Sequence, residues 1–213
     1  EAGYRLPSGF HLTGGVDLNI TERAVPYWLG GALASVTTRE KTEETTLRLK
    51  LRRSLSETVN GSVAYAHGNR NGSDYLTTVL NNGTTGSNLL SPLHLADRDR
   101  DLLRLAVDWT PTEPLSLQFT VDTTKDQYSH GGRSFGPNSG RSQLYSADAS
   151  YAFTDKWRGT LWLSRNETRA NQVTQTSTPV TWTADLRDRG DALGIGVRGK
   201  PTRKLELGAD LQR

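Results

Sequence analysis

The 213-residue chain contains no cysteine and no methionine. Without cysteine there is no disulfide, no thiolate metal site and no haem attached through a CxxCH motif, so sulfur holds nothing together in this segment. No apolar run approaches the roughly 20 residues that a membrane-spanning helix requires. Hydrophobic residues make up only 34% of the chain, a modest supply for a thick soluble core even beside 21 glycines. Charge of one sign is not in excess either: 26 basic and 23 acidic residues leave +3, and they are well mixed. A nucleic-acid footprint is therefore not indicated, although the isoelectric point is basic. Histidine is scarce. His11, His67, His94 and His130 are scattered, and no nucleophile or carboxylate pair stands near them at a telling spacing, so no enzyme is expected. Hydropathy alone reads the chain as soluble. Starting at Glu1 and stopping at Arg213 inside an alternating pattern, it is expected to be an internal fragment, residues 1–213 forming a single segment of one domain.

What the chain has is alternation. Residues 45–55 read TTLRLKLRRSL, with Leu47, Leu49 and Leu51 interleaved with Arg48, Lys50 and Arg52. On a β-strand the leucines share one face and the bases the other, whereas a helix would scatter them. The pattern recurs. Phe10, Leu12, Val16, Leu18 and Ile20 oppose His11, Thr13, Asp17 and Asn19; Leu103, Leu105, Val107 and Trp109 oppose Arg104 and Asp108. Leu115, Leu117, Phe119 and Val121 oppose Gln118, Thr120 and Asp122, and Tyr145 to Phe153 oppose Ser146, Asp148 and Ser150. Leu161, Leu163, Leu193, Ile195, Val197, Leu205, Leu207 and Leu211 continue the set. About nine strands of about 9 to 13 residues result, the length that tilted membrane-spanning strands require.

The connections alternate as well. Tight links at 55–60, 110–114, 154–156 and 200–203 separate long polar stretches at 24–43, 71–97, 127–140 and 169–185. Bacterial outer-membrane barrels have short periplasmic turns and long extracellular loops. Trp109 and Trp157 each lie one residue from a tight link, at the level where amphipathic rings meet lipid headgroups; Trp162 has the opposite parity. The reading is all-β: the wall of an antiparallel, up-and-down transmembrane β-barrel. Lipid-facing residues are expected at Leu47, Leu49, Leu51, Leu103, Leu105, Val107, Trp109, Leu115, Leu117 and Trp157. Arg48, Lys50, Arg52, Arg104, Asp108, Gln118, Asp122, Asp148 and Glu206 are expected to face the lumen. A soluble β-sandwich would have to explain the regular alternation of loop lengths.

Three long phrases carry a resemblance. ETTLRLKLRRSLSETVNGSVAYAHGNRNGSDYL (44–76), DRDRDLLRLAVDWTPTEPLSLQFTVD (97–122) and RSQLYSADASYAFTDKWRGTLWLSR (141–165) resemble, in the same order, the MtrB/PioB family of decahaem-associated outer-membrane proteins, including its DmsF-like members. The resemblance implies a bacterial outer-membrane location and a very large barrel that sheathes a periplasmic multihaem c-type cytochrome, an insulated electron conduit. It also implies a possible contact between the long loops and an extracellular cytochrome or reductase. The haem would belong to the partner; no cofactor or metal of the chain's own is expected. An N-terminal cysteine pair of some members is not represented. The alternative is a diffusive porin whose inward bases select anionic solutes.

Several short motifs are better explained otherwise. Gly194, Gly196 and Gly199 spell GxGxxG, but Pro201 and another alternating strand follow where a dinucleotide site needs a helix; small residues on an inward face, leaving room for a bulky occupant, is the preferred account. Asp97, Asp99 and Asp101 begin like a calcium loop, yet Leu102 replaces the glycine of the sixth position and Asp108, at the twelfth, lies in a strand; solvated charges at a strand entrance are the default, with calcium at a loop base left open. RGD at 189–191 is, at three residues, close to chance, and the sequons at Asn60, Asn71 and Asn82 are not ordinarily used in a bacterial outer-membrane protein.

Overall fold

The computed structural model describes residues 1–24, 38–75, 78–79, 85–86, 91–129, 135–175 and 181–213. Alternating sequence becomes strand because each residue turns its side chain to the opposite face of the pleat, so oily and polar residues separate without any helix. The strands are β1 (Ala2–Arg5), β2 (Phe10–Glu22), β3 (Lys41–Ser54), β4 (Val59–Gly72), β5 (Thr78–Val79), β6 (Thr85–Gly86), β7 (Asp97–Thr112), β8 (Leu115–Ser129), β9 (Gly136–Thr154), β10 (Trp157–Gln175), β11 (Thr181–Thr202) and β12 (Leu205–Gln212). All except β5 and β6 form one antiparallel sheet of 10 strands in strict chain order; β5 and β6 pair only with each other. A 3-10 turn at Pro7–Gly9 joins β1 to β2, with Ser8 and Gly9 at positive φ of 62° and 76°, and no other helix occurs among the described residues.

The sheet has ten strands where the sequence suggests about nine. The extra one is β1, whose 4 residues, AGYR, are too few to display a period of two. The strands β2 to β4 and β7 to β11 run from 13 to 22 residues, longer than expected. Two of the polar stretches taken for loops are largely ladder: β8 and β9 remain paired to Gln127 and Ser139, and β10 and β11 to Gln175 and Thr181. Beyond the apolar belt both faces are polar, so the hydrophobic alternation stops while backbone pairing continues. Residues 25–37, 76–77, 80–84, 87–90, 130–134 and 176–180, which hold parts of all four long connections together with His130 and Asn82, lie outside the described residues.

This sheet has no core of its own. Among the described residues the buried apolar side chains are Tyr75, Leu95 and Ala96, all in the connection between β4 and β7. Leu47, Leu49, Leu103 and Leu105 are instead 49, 45, 44 and 43% exposed on one continuous face. Among the described residues the one other sheet is the two-stranded β5–β6 pair, too small to be the second layer of a sandwich. A soluble monomer rarely leaves so large an apolar patch open.

The register shows why the face belongs in a bilayer. Val16, Leu47, His67, Asp101, Lys125, Arg141, Arg169 and Arg187 form one straight cross-strand row. The apolar belt is centred on Val16 in β2 but on Ile195 in β11, eight residues beyond Arg187, after seven steps across the sheet. A level belt that drifts by a little over one residue per strand requires tilted strands. With about 3.3 Å per residue and about 4.8 Å between strands, the tilt is about 40°, the value that barrel closure in a membrane demands. β1 and β12 stand at the two ends of this sheet and do not pair with each other. Hydrocarbon cannot satisfy free backbone groups, so inside a membrane both edges need a partner, as in a partial barrel.

Leu105 and Ala106 test the two faces side by side. Leu105 pairs with Val63 and Val121 on the apolar face, and Ala106 with Ser62 and Thr120 on the other. In the full-length barrel, Leu105→Lys should cost about 2–4 kcal/mol and Ala106→Lys far less in a refolding titration; equal costs would contradict the assignment.

Candidate functional site: the polar face of the wall

The nine sequence-derived inward positions share one face. The pairs Lys50↔Ala64, Ala64↔Arg104 and Arg104↔Asp122 join β3, β4, β7 and β8 in a single row, and Asp108↔Gln118 and Gln118↔Asp148 carry the face to β9. Arg48 and Arg52 flank Lys50 at a spacing of two, and Glu206 reaches Lys200 at 3.2 Å. The ten sequence-derived lipid-facing positions lie on the opposite face by the same register.

Along the middle of β4, between Asn60 and Arg70, the polar face carries only small residues, Ser62, Ala64, Ala66 and Gly68, between charged rows on β3 and β7. The result is a trough of about 620 Å³ whose floor is β4 and whose walls include Arg48, Lys50, Arg100 and Arg104. Whatever occupies the space beside this wall comes closest to the backbone here.

The bases are not a bare positive strip. Arg48 holds Asp17 through two contacts of 2.6 and 2.8 Å. Arg104 clasps Asp122 at 2.7 and 2.6 Å, and Arg100 clasps Asp126 at 2.6 and 2.8 Å. Arg98 reaches Glu44 at 2.7 Å, and Gln118 donates to Asp108 at 2.9 Å. Bidentate arginine–carboxylate pairs fix both charges in one plane, so the middle and upper wall is close to electrically neutral. Lys50 and Arg52 make no ion pair among the described residues, and they lie toward the short-turn end of β3.

Arg39, which carries no sequence signal, closes the long-loop end. It is 4% exposed, donates to the carbonyls of Gly72, Ser73 and Leu95, pairs with Asp97 at 2.6 Å and lies 4.6 Å over the Tyr75 ring. One guanidinium thus binds the end of the β2–β3 connection to both ends of the β4–β7 connection. The aspartates of the DxDxD run are held singly: Asp97 by Arg39, Asp99 by Asn69, and Asp101 by Tyr65 and His67. No group of three acidic or histidine side chains able to hold a metal ion occurs among the described residues.

The glycines of β11 leave no room for an occupant. Gly194 and Gly196 are on the polar face but Gly199 is on the apolar one, and the space beside all three is already filled by the chain itself. A Cβ on Gly194 would lie 2.2 Å from Trp162 Nε1, one on Gly199 2.3 Å from the Trp157 ring, and one on Gly196 2.3 Å from Asp210. Each tryptophan lies flat across the glycine of the neighbouring strand, which also accounts for the anomalous parity of Trp162. Gly194→Val should displace the indole and lower barrel stability by about 1–3 kcal/mol, read as a loss of Trp162 fluorescence anisotropy and a lower denaturant midpoint.

The model of the MtrB/PioB family of outer membrane beta-barrel porins matches residues 1–212. The outer membrane protein MtrB of Shewanella baltica (strain OS185) is 29% identical over 213 residues, 98% of this chain and 28% of that protein. The chain therefore spans less than a third of the length of this curated relative. Among solved structures, the siderophore receptor PiuA from Acinetobacter baumannii superposes with a TM-score of 0.61 at 15% identity, over 98% of this chain and 40% of that one, which is a likeness of fold.

Proposed function

We propose that this chain, which belongs to the MtrB/PioB family of outer-membrane β-barrel porins, forms part of the wall of a large barrel that sheathes a periplasmic multihaem c-type cytochrome and supports electron transfer across the outer membrane. Residues 1–213 act as one wall segment of that barrel. The family is porin-like, and the role assigned to the chain is enclosure rather than catalysis. The protein's contribution is to exclude lipid and solvent from the redox centres and to hold their carrier in place.

The observation that carries this reading over an anion-selective porin is the pairing of Arg48 with Asp17 and of Arg104 with Asp122. A pore that selects anions needs unneutralised bases along its wall. A fixed, ion-paired face above a small-residue trough suits contact with a folded protein, because no charge is left unpaired when water is displaced, and it is an unpaired charge whose burial costs most. The haem belongs to the partner. The chain has no cysteine for covalent attachment, and His67, on the apolar side, is engaged by Asp101. The long connections face the exterior and offer the surface where an extracellular cytochrome or reductase would meet the conduit.

Lys50 and Arg52, free of carboxylates and close to the periplasmic turns, are the bases available to an acidic partner or to exposed haem propionates. Purified from the outer membrane, the full-length parent should carry a multihaem cytochrome with Soret absorbance. Lys50→Glu with Arg52→Glu should lower cytochrome retention more at low than at high salt, and Arg104→Gln should do so far less. A parent that carries no haem protein and conducts small anions across planar bilayers would replace the sheath by the porin.

A further inference from the structure

The outward face above the apolar belt carries a feature that a lumen function does not use. Lys125, Arg141, Arg169 and Arg187 stand directly opposite one another across β8, β9, β10 and β11, four cations in one register row. Arg165 and Arg189 lie on the same face within four residues of that row. All six are exposed. Their parity continues that of Val121, Tyr145, Leu163 and Leu193, so they emerge directly above the lipid-facing residues of their own strands. A recess of about 470 Å³ opens there, with Arg141, Arg169 and Arg187 on its walls.

Like charges placed directly opposite each other on adjacent strands destabilise a sheet. Internal carboxylates relieve only part of this row. Glu167 is shared by Arg169 and Arg187 at 2.7 and 3.0 Å, and Asp191 by Arg165 and Arg189 at 2.6 and 3.8 Å. Asp185 accepts from Asn171 at 2.7 Å. Lys125 and Arg141 make no ion pair among the described residues; the carboxylate opposite Lys125 on β7, Asp101, is bonded instead by Tyr65 and His67. Across these four strands six cations therefore face three carboxylates, and the pair left over lies at the β8–β9 side of the recess. Four bases spaced about 4.8 Å apart make a strip about 14 Å long. At about 3.3 Å per residue along strands tilted by about 40°, it lies about 10–15 Å beyond the last apolar side chains, outside the hydrocarbon.

We propose that this row is a binding site for the phosphate groups of anionic glycolipid in the outer leaflet of the outer membrane. Charge complementarity selects the ligand. A guanidinium row at the lipid boundary meets headgroup phosphates through bidentate bonds, and the bound anions remove the like-charge repulsion that the sheet otherwise carries. The site orients the barrel and ties the long β8–β11 hairpins to the membrane surface, whatever fills the lumen.

The test uses the full-length barrel in vesicles of phosphatidylcholine containing one-tenth diphosphoryl lipid A, and in matched vesicles of its dephosphorylated form. The wild type should retain phosphorylated lipid on detergent extraction, at least about tenfold over the dephosphorylated form, since each base near an anionic headgroup contributes on the order of a fivefold factor. Lys125→Gln with Arg141→Gln, which leaves no carboxylate orphaned, should remove most of that preference while the barrel stays heat-modifiable on gels. Lys50→Gln with Arg52→Gln, on the other face, should leave it intact. Equal retention of the two lipids by the wild type, or an unchanged preference in the folded double variant, overturns the proposal; if the variant does not fold, the wild-type comparison decides.

Discussion

Every other feature of this wall depends on the cross-strand backbone ladder. In hydrocarbon an unpaired N–H or C=O has no water to turn to, so strands can cross only when each is bonded on both sides. That requirement fixes the register, and the register fixes the faces, because slipping one strand by a single residue would turn its leucines into the lumen and its bases into lipid. The drift of the apolar belt from Val16 to Ile195 across the sheet is the trace of that ladder laid at a tilt. Stability resides in pairing along the sheet rather than in a core, which is why the few buried apolar residues lie in a loop and not beneath the strands.

The same ladder sorts charge into three zones. On the inner face, arginines and carboxylates of adjacent strands neutralise each other and leave Lys50 and Arg52 free toward the periplasmic end. On the outer face the belt gives way to charge at the level of Asp101, Lys125, Arg141 and Arg165, with carboxylates on β7 and mostly bases from β8 to β11. At the long-loop end, buried Arg39 gathers three backbone carbonyls and a carboxylate and gives the connections a fixed base. Each zone matches a different surrounding: the barrel interior, hydrocarbon, then headgroups and water.

The belt was legible in the sequence because lipid enforces a period of two, and Leu47 to Arg52 display it in six residues. The ends of the strands were not. Above the belt β8 to β11 meet water on both faces, so nothing in the residue pattern separates a paired strand from a loop. β1 is too short to show a period. The glycines of β11 were misread because sequence cannot show which aromatic crosses to them; only register reveals that Trp162 covers Gly194 and Trp157 covers Gly199. Arg39 was silent for a related reason, since its partners Gly72, Leu95 and Asp97 are distant in sequence and two of them offer only backbone. That the polar positions share one face was readable residue by residue, but not that Arg48 and Arg104 are neutralised by Asp17 and Asp122.

The central claim, that β3 is one stave of a wall between lipid and a filled lumen, is most directly tested by single spin labels at residues 47 to 52 of the full-length barrel in a cysteine-free background. Oxygen dissolved in the bilayer should reach labels at 47, 49 and 51, and a water-soluble nickel reagent should not; labels at 48, 50 and 52 should show low oxygen accessibility and restricted motion against the partner. Uniform accessibility along the six positions, or a period near 3.6, would contradict the account.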